Sequence, residues 1–355
     1  MPFLNRLGLT LPLIQAPMAG VSTPALAAAV SQRGALGSIG IGATDAAGAR
    51  AMIAEVRERT GRAFNVNLFV HGPASADPVR EVDWLDWLGP SFAEFGAKPP
   101  TSLRTIYKSF AEDAEMLAML IETVPPVISF HFGLPSAAAL SALHKRGILL
   151  LATATSLDEA RMIEAAGIDV IVAQGIEAGG HRGVFDPAAP DDAISTMALT
   201  RMLVRNTHLP VVAAGGIMDG AGIAAVIDLG AAAAQLGTAF VACPESSADD
   251  AYRLALIGPG AFHTTMTTLI SGRPARSLAN RFTALTETLA GRRAPDYPIA
   301  YDAGKALHAA AKAQGEHGFG AQWAGQGAPL SRAMPVAELL EILRAEFHAC
   351  RGPQL

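Results

Sequence analysis

Side chains able to do chemistry recur in this sequence at one kind of place, the end of a short apolar run. His131 follows Val127 to Phe130, and an imidazole there can take, give or share a proton near neutral pH. Asn65 and Asn67 close another run, Thr153 and Thr155 a third, and Gln174 a fourth, with Glu177, Gly179, Gly180 and His181 just beyond. Asn and Gln carry donors and acceptors in one plane, which suits the edge of a planar heterocycle. Singly, each amide could merely satisfy backbone groups at a rim; together they point into one cavity. Two further runs end in glycine, Ala213-Ala214-Gly215-Gly216-Ile217 and Gln235-Leu236-Gly237-Thr238. Backbone N–H groups freed of side chains approach phosphate oxygens closely, and a following helix N-terminus favours negative charge. The pair of loops predicts a phosphate-bearing cofactor.

Elements must hold these residues together, and the sequence supplies a repeat. The apolar runs Leu13 to Ala16, Leu36 to Ile39, Phe64 to Asn67, Val127 to Phe130, Leu149 to Thr153, Val170 to Ala173, Val211 to Ala214 and Ala233 to Leu236 are too short for helices. Helical segments follow most of them: Pro24 to Gln32, Ala46 to Thr60, Ser136 to Lys145, Leu157 to Ala166, Thr196 to Arg205 and Gly220 to Leu229. Eight such units predict an α/β fold, a parallel (β/α)₈ or TIM barrel, with its site at the C-terminal strand ends and phosphate held after strands seven and eight. A doubly wound sheet fits less well. Its dinucleotide fingerprint is missing after the first strand, where Pro17-Met18-Ala19-Gly20 stands, and Gly37, Gly40 and Gly42 have the wrong spacing.

The barrel is expected over 1–240, with an insertion at about 71–126 that holds Trp84, Trp87, Pro99-Pro100 and a helix-like run from Phe110 to Thr123. Residues 241–330 lack the rhythm and read as a mainly helical domain or lid. In 331–355, Pro335 to His348 reads as a helix that packs back on the barrel.

Composition narrows the partners. With 355 residues, 50% hydrophobic and 17% charged, the chain is globular rather than disordered, coiled-coil or collagen-like. A net charge of −5 without charge blocks predicts neither nucleic acid nor an anionic membrane as partner. Cys243 and Cys350 form no CxxC or Cys/His cluster, so no metal site or disulfide framework is indicated, and a cytoplasmic location is expected. The uncharged stretch Leu7 to Gln32 contains Pro12, Pro17 and Pro24, which break a single apolar helix, so it reads as mature protein rather than a signal or spanning segment.

The segments Gln15-Ala16-Pro17-Met18-Ala19-Gly20, Asn65-Val66-Asn67-Leu68-Phe69, Ser129-Phe130-His131-Phe132-Gly133, Val172-Ala173-Gln174-Gly175, Glu177-Ala178-Gly179-Gly180-His181-Arg182-Gly183 and Trp323-Ala324-Gly325-Gln326-Gly327 resemble the ordered motif set of class I nitronate monooxygenases. The resemblance runs nearly end to end. It implies a TIM barrel with non-covalent FMN that oxidises alkyl nitronates by O₂ to a carbonyl compound and nitrite. The partners would be a small anionic nitronate and O₂, and the chain a monomer or homodimer. By motif, FMN would meet Pro17, Met18, Asn67, Gln174, Gly179, Gly180, Gly215, Gly216, Gln235, Leu236, Gly237 and Thr238. His131 would be the catalytic residue, with His181 beside the phosphate or substrate. Tyr107, Tyr297, Tyr301 and Lys305 would meet the substrate, the lysine suiting a carboxylate-bearing nitronate such as propionate 3-nitronate. Two alternatives remain: an FMN-dependent NAD(P)H:quinone or enoyl-thioester reductase on the same barrel, and a non-enzymatic flavin-binding barrel.

Overall fold

Two-residue alternation inside the apolar runs decides how the chain folds and where its polar residues point. In the computed structural model, which describes residues 2–351, eight parallel strands form: β1 (Leu13–Gln15), β2 (Gly37–Gly40), β3 (Phe64–Phe69), β4 (Val127–His131), β5 (Leu149–Ala154), β6 (Val170–Gln174), β7 (Val211–Ala214) and β8 (Ala233–Leu236). They pair in the order β1-β8-β7-β6-β5-β4-β3-β2, and a parallel bridge from Ile14 to Leu36 joins the two ends. This is the TIM barrel. Residue 1 of the expected barrel segment and 352–355 of the expected C-terminal segment lie outside the described residues.

Some strand ends differ from expectation. β1 stops at Gln15, and Leu36 is a lone bridge before β2. β3, β4 and β6 run on to Phe69, His131 and Gln174, because the ladder between β3 and β4 continues to the pair Phe69 and His131 and that between β6 and β7 to Gln174 and Ala214. His131 and Gln174 are therefore the last residues of strands rather than the first of loops.

In β6, Val170 and Val172 point into the barrel with Ile14, Val127, Leu149, Leu151, Val212 and Ala233. Ile171 and Ala173 point out among Leu140, Leu143, Ile163 and Leu199 of the surrounding helices. Alternation continues this inward column to Gln174, and the corresponding columns to Asn67, His131, Thr153 and Gln235. Between the apolar floor and the cavity lies a polar layer, in which the Asn65 amide donates to Ser38 Oγ at 3.2 Å and Ser129 Oγ at 2.9 Å. Helices start sharply after the loops because Thr23, Asp45, Ser136, Ser156, Ser195 and Asp219 each accept a first-turn amide.

The stretch 71–126 divides in two. Helix Ala114–Thr123 packs Met116, Met119 and Leu120 beside Ile53, Val56 and Leu140, so it is the barrel's own third helix, and only the part before it is extra. The run from Phe110 breaks into a 3₁₀ turn, Phe110–Glu112, and this helix, whose cap is Asp113. Trp84 and Trp87 sit on a helix, Pro78–Glu94, whose Trp84, Leu88 and Phe92 pack against Phe282, Leu307 and Phe319.

Residues 241–330 hold helices Asp250–Ile257 and Ile299–Ala313 together with an antiparallel hairpin, Thr264–Thr267 and Ala275–Leu278, which the reading as mainly helical omitted. The hairpin accepts Gly180–His181 as a third strand, with His181 opposite Ala275. Helix Val336–Arg351 lays Leu339, Leu340, Leu343 and Phe347 on Ile223, Ala224 and Leu236, each buried side chain contributing about 1.5–3 kcal/mol. Among the described residues no helix is long and apolar enough to cross a membrane.

Candidate functional site

A cavity of about 810 Å³ opens at the C-terminal strand ends, within the range of small-molecule and cofactor sites. Every residue expected to act on or hold a ligand lines it except Leu236, whereas Asn65, Thr155 and Glu177, also read as strand-end polar residues, do not. Leu236 alternates with Gln235 and so points outward into the layer under helix Val336–Arg351; only its carbonyl serves the rim, accepting the Ala16 amide at 2.8 Å.

The two glycine loops face the cavity with amides to spare. Among the described residues, the N–H groups of Gly215, Gly216, Ile217 and Gly237 donate to no backbone carbonyl. Such donors on two neighbouring loops form an anion cradle. The helix after β7 takes no part, because the Asp219 carboxylate already caps it, accepting the Gly222 amide at 2.8 Å. Gly216 has φ +69°, a conformation costly to other residues. Gly179 packs so tightly that a Cβ there would stand 2.5 Å from Gly325 N, which fixes the Trp323 motif over the loops. Gly325 in turn donates its amide to Thr238 Oγ1 at 3.0 Å. The donor set, the glycine-lined approach and the cavity's size fit a flavin mononucleotide.

The amides are less free than expected. Asn67 donates to Ser129 O and Oγ, which leaves its carbonyl oxygen for a ligand. Gln174 is used by its own loop, donating to His181 O at 2.9 Å and accepting from the Gly183 amide at 2.7 Å. It shapes the rim more than it reads a ring edge.

The two histidines differ in which ring nitrogens are engaged. Burial, with a smaller contribution from the Arg273 and Arg182 charges, pushes His131 down to about 4, so its ring is neutral at pH 7. Both its nitrogens are engaged: Nε2 with His181 O at 3.1 Å, which makes Nε2 the donor, and Nδ1 with Thr153 Oγ1 at 3.1 Å. His181 is pushed down to about 3, chiefly by burial, then by the His131 and Arg273 charges. Its Nε2 meets Ser271 Oγ at 2.9 Å, and that hydroxyl also reaches Arg273 O at 3.2 Å; in the tautomer where Ser271 donates to the carbonyl, Nε2 carries the proton. Nδ1 of His181 has no partner among the described residues, and in that tautomer it is a lone pair on the residue's cavity wall. The ring sits among Trp323, Tyr297 and Phe132, with centroids 5.1, 5.4 and 5.6 Å away.

These depressed imidazoles make acid destabilising. Unfolded histidines take up protons below about 6.5, whereas the folded pair refuses them until about 4 and about 3. Stability contributed by the two neutral rings is thus present above 6.5 and is lost as pH falls from there toward 4. The melting temperature of the wild type should drop between pH 7 and pH 5, and more steeply than that of His181→Asn; equal slopes would show that His181 titrates normally.

The cavity wall formed by Tyr107, Tyr297, Tyr301 and Lys305 is aromatic and cationic. The Tyr297 hydroxyl is buried without a partner among the described residues, and burial raises its pKa well above the usual value, so it remains a donor. Lys305 Nζ lies 4.8 Å from the Tyr107 ring centroid and 5.4 Å from that of Tyr301. Asp302 fixes the Tyr107 segment to this helix by accepting from the Arg104 amide and guanidinium at 3.0 Å. Tyr252, by contrast, spends its hydroxyl on Trp323 O.

Sequence reasoning missed Arg273, a buried guanidinium 4.2 Å above the Phe132 ring. Burial lowers it to about 10, so it stays charged, and no carboxylate pairs with it among the described residues. It also missed Ser271, which sets the His181 tautomer. No spacing signals either, since Ser271 meets His181 and Arg273 covers Phe132 from the hairpin turn. The arrangement can bind a flat anion between phenol and ammonium donors, beside a neutral proton acceptor and under a positive field.

The profile of the nitronate monooxygenase family matches residues 2–346. A nitronate monooxygenase of Paraburkholderia phytofirmans is 61% identical, over 97% of this chain and 94% of the relative. One from Pseudomonas aeruginosa is 58% identical, over 97% and 98%. The solved structure of a nitroalkane oxidase from Streptomyces ansochromogenes superposes with a TM-score of 0.91 at 40% identity, covering 99% of both chains.

Proposed function

Since the chain belongs to the nitronate monooxygenase family, an oxidoreductase family, we propose that it binds FMN and oxidises small alkyl nitronates with O₂ to a carbonyl compound and nitrite. The observation that carries this reading is the convergence of free loop amides and an unpartnered phenol on one cavity. The amides of Gly215, Gly216, Ile217 and Gly237 would hold the FMN phosphate, and Pro17, Met18 and the Asn67 carbonyl would border its ring. A bound flavin would supply the electron-transfer chemistry linking nitronate to O₂. The Tyr297 hydroxyl donates to a nitronate oxygen, and Lys305 holds a substrate carboxylate, as in propionate 3-nitronate. His131 orients the His181 carbonyl and closes the wall against water. Arg273 adds an unpaired positive charge that favours the anion.

Anaerobic mixing of purified yellow protein with propionate 3-nitronate should bleach the flavin, and admitting air should restore the colour with release of nitrite. Bleaching by NADPH instead would establish the reductase alternative. Lys305→Met should raise KM for propionate 3-nitronate about tenfold, the usual worth of one well-placed charge pair, with little change for an uncharged alkyl nitronate. Equal effects on both would remove Lys305 from carboxylate recognition.

A second reading extends the substrates to neutral nitroalkanes, the class named in the Streptomyces nitroalkane oxidase. The lone pair at His181 Nδ1 favours it, because a nitroalkane must first lose an α-proton.

A further inference from the structure

The cavity continues past the phenols along helix Ile299–Ala313, which presents Tyr301, Lys305, His308 and Lys312 to it on one helical face. Lys305 and Lys312 are seven residues apart and thus about 10 Å apart along the helix axis. Ile270, Phe319 and Trp323 line the same cavity and belong to one apolar cluster with Tyr301. A cationic stripe with an apolar wall is more than a small nitronate and O₂ require.

The far cation is only loosely committed. Lys312 Nζ meets Asp249 Oδ2 at 2.7 Å, with the side chains 48% and 38% exposed. Exposed pairs of this kind contribute about 0–1 kcal/mol, so a ligand carboxylate could replace Asp249 at little cost. Asp249 has a second task, capping helix Asp250–Ile257 by accepting the Tyr252 amide at 3.0 Å, so it stays in place if Lys312 turns to a ligand.

We infer that this outer arm is a subsite for the far end of an extended nitronate, an ω-carboxylate held by Lys312 with its alkyl chain against the Phe319 and Trp323 wall. The inference rests on the nitronate reading above and extends its substrate class. Propionate 3-nitronate is served by Lys305 and does not reach Lys312. Asp249 competes with the incoming carboxylate and so biases the wild type toward short substrates.

The test compares KM of the holoenzyme for propionate 3-nitronate, for the ω-nitronate of a roughly ten- to twelve-carbon carboxylate, long enough to add about 10 Å, and for its methyl ester. The wild type should take the long acid with KM about tenfold below its ester. Lys312→Met should erase that difference and leave propionate 3-nitronate within about twofold. Asp249→Asn keeps a capping oxygen and should lower KM for the long acid severalfold. An acid-to-ester ratio unchanged by Lys312→Met, or no turnover of the long acid by an enzyme active on propionate 3-nitronate, overturns the subsite alone. Inactivity toward propionate 3-nitronate would instead strike the reaction itself.

Discussion

His181→Asn is expected to lower kcat/KM for a neutral nitroalkane such as nitroethane by about 10² to 10⁴, the usual contribution of a general base. Propionate 3-nitronate, already deprotonated at carbon, should lose less than about tenfold. The expectation follows from which ring nitrogen is free. His131 gives one nitrogen to the His181 carbonyl and the other to Thr153. His181 gives only Nε2, to Ser271, and keeps Nδ1 as a lone pair. An imidazole pushed down to about 3, chiefly by burial, is by itself a weak base, but the anion formed by deprotonation would stand beside it and favour its charged form. His131→Asn should slow both substrates together, because it removes one of the two donors, the other being Gln174, that hold the carbonyl positioning His181. Initial rates of nitrite release decide the matter. Selective loss of nitroethane turnover in His131→Asn, with His181→Asn spared, would return the base to His131. No nitroethane turnover in the wild type would remove the second reading.

Much of this was legible in the sequence because a strand's period is two and the barrel's site lies at known ends. Once Val170 and Val172 are placed inside, Gln174 must face the cavity, and the same counting applies to His131 from Val127. The same rule would have excluded Leu236, whose neighbour Gln235 holds the inward position. Other parts had no such signal. The free nitrogen of His181 depends on Ser271, 90 residues away, and Tyr107 is seated by an Arg104–Asp302 contact across 198. The hairpin that aligns His181 was hidden because Thr264–Thr267 and Ala275–Leu278 are short and Gly/Pro-flanked, and their partner strand has two residues. A strand so short carries no period to detect.

The other large effect is expected at Gly216, where valine should weaken FMN binding by about 10² to 10⁴ while the barrel stays folded. Two costs act together. At φ +69° an L-residue is strained by about 1–2 kcal/mol, and a β-branched one by more. The new Cβ would also stand 3.2 Å from Glu177 Cβ, and Glu177 cannot retreat freely because its carboxylate accepts the Thr196 amide and hydroxyl, both at 2.8 Å. Relaxing either conflict turns the Gly215–Gly216–Ile217 amides out of convergence. Hydrogen bonds to a charged group contribute about 1.5–3 kcal/mol each, so losing two costs about 3–6 kcal/mol, which is the stated range of affinity. The fold itself gives up only the strain, a fraction of the roughly 5–15 kcal/mol by which domains are stable. Titrating apoprotein with FMN by fluorescence quenching, alongside the apoprotein melting temperature, separates the two costs. Gly216→Ala should fall between wild type and valine. A valine variant that melts within a few degrees of wild type and retains FMN through gel filtration would place the phosphate away from these amides.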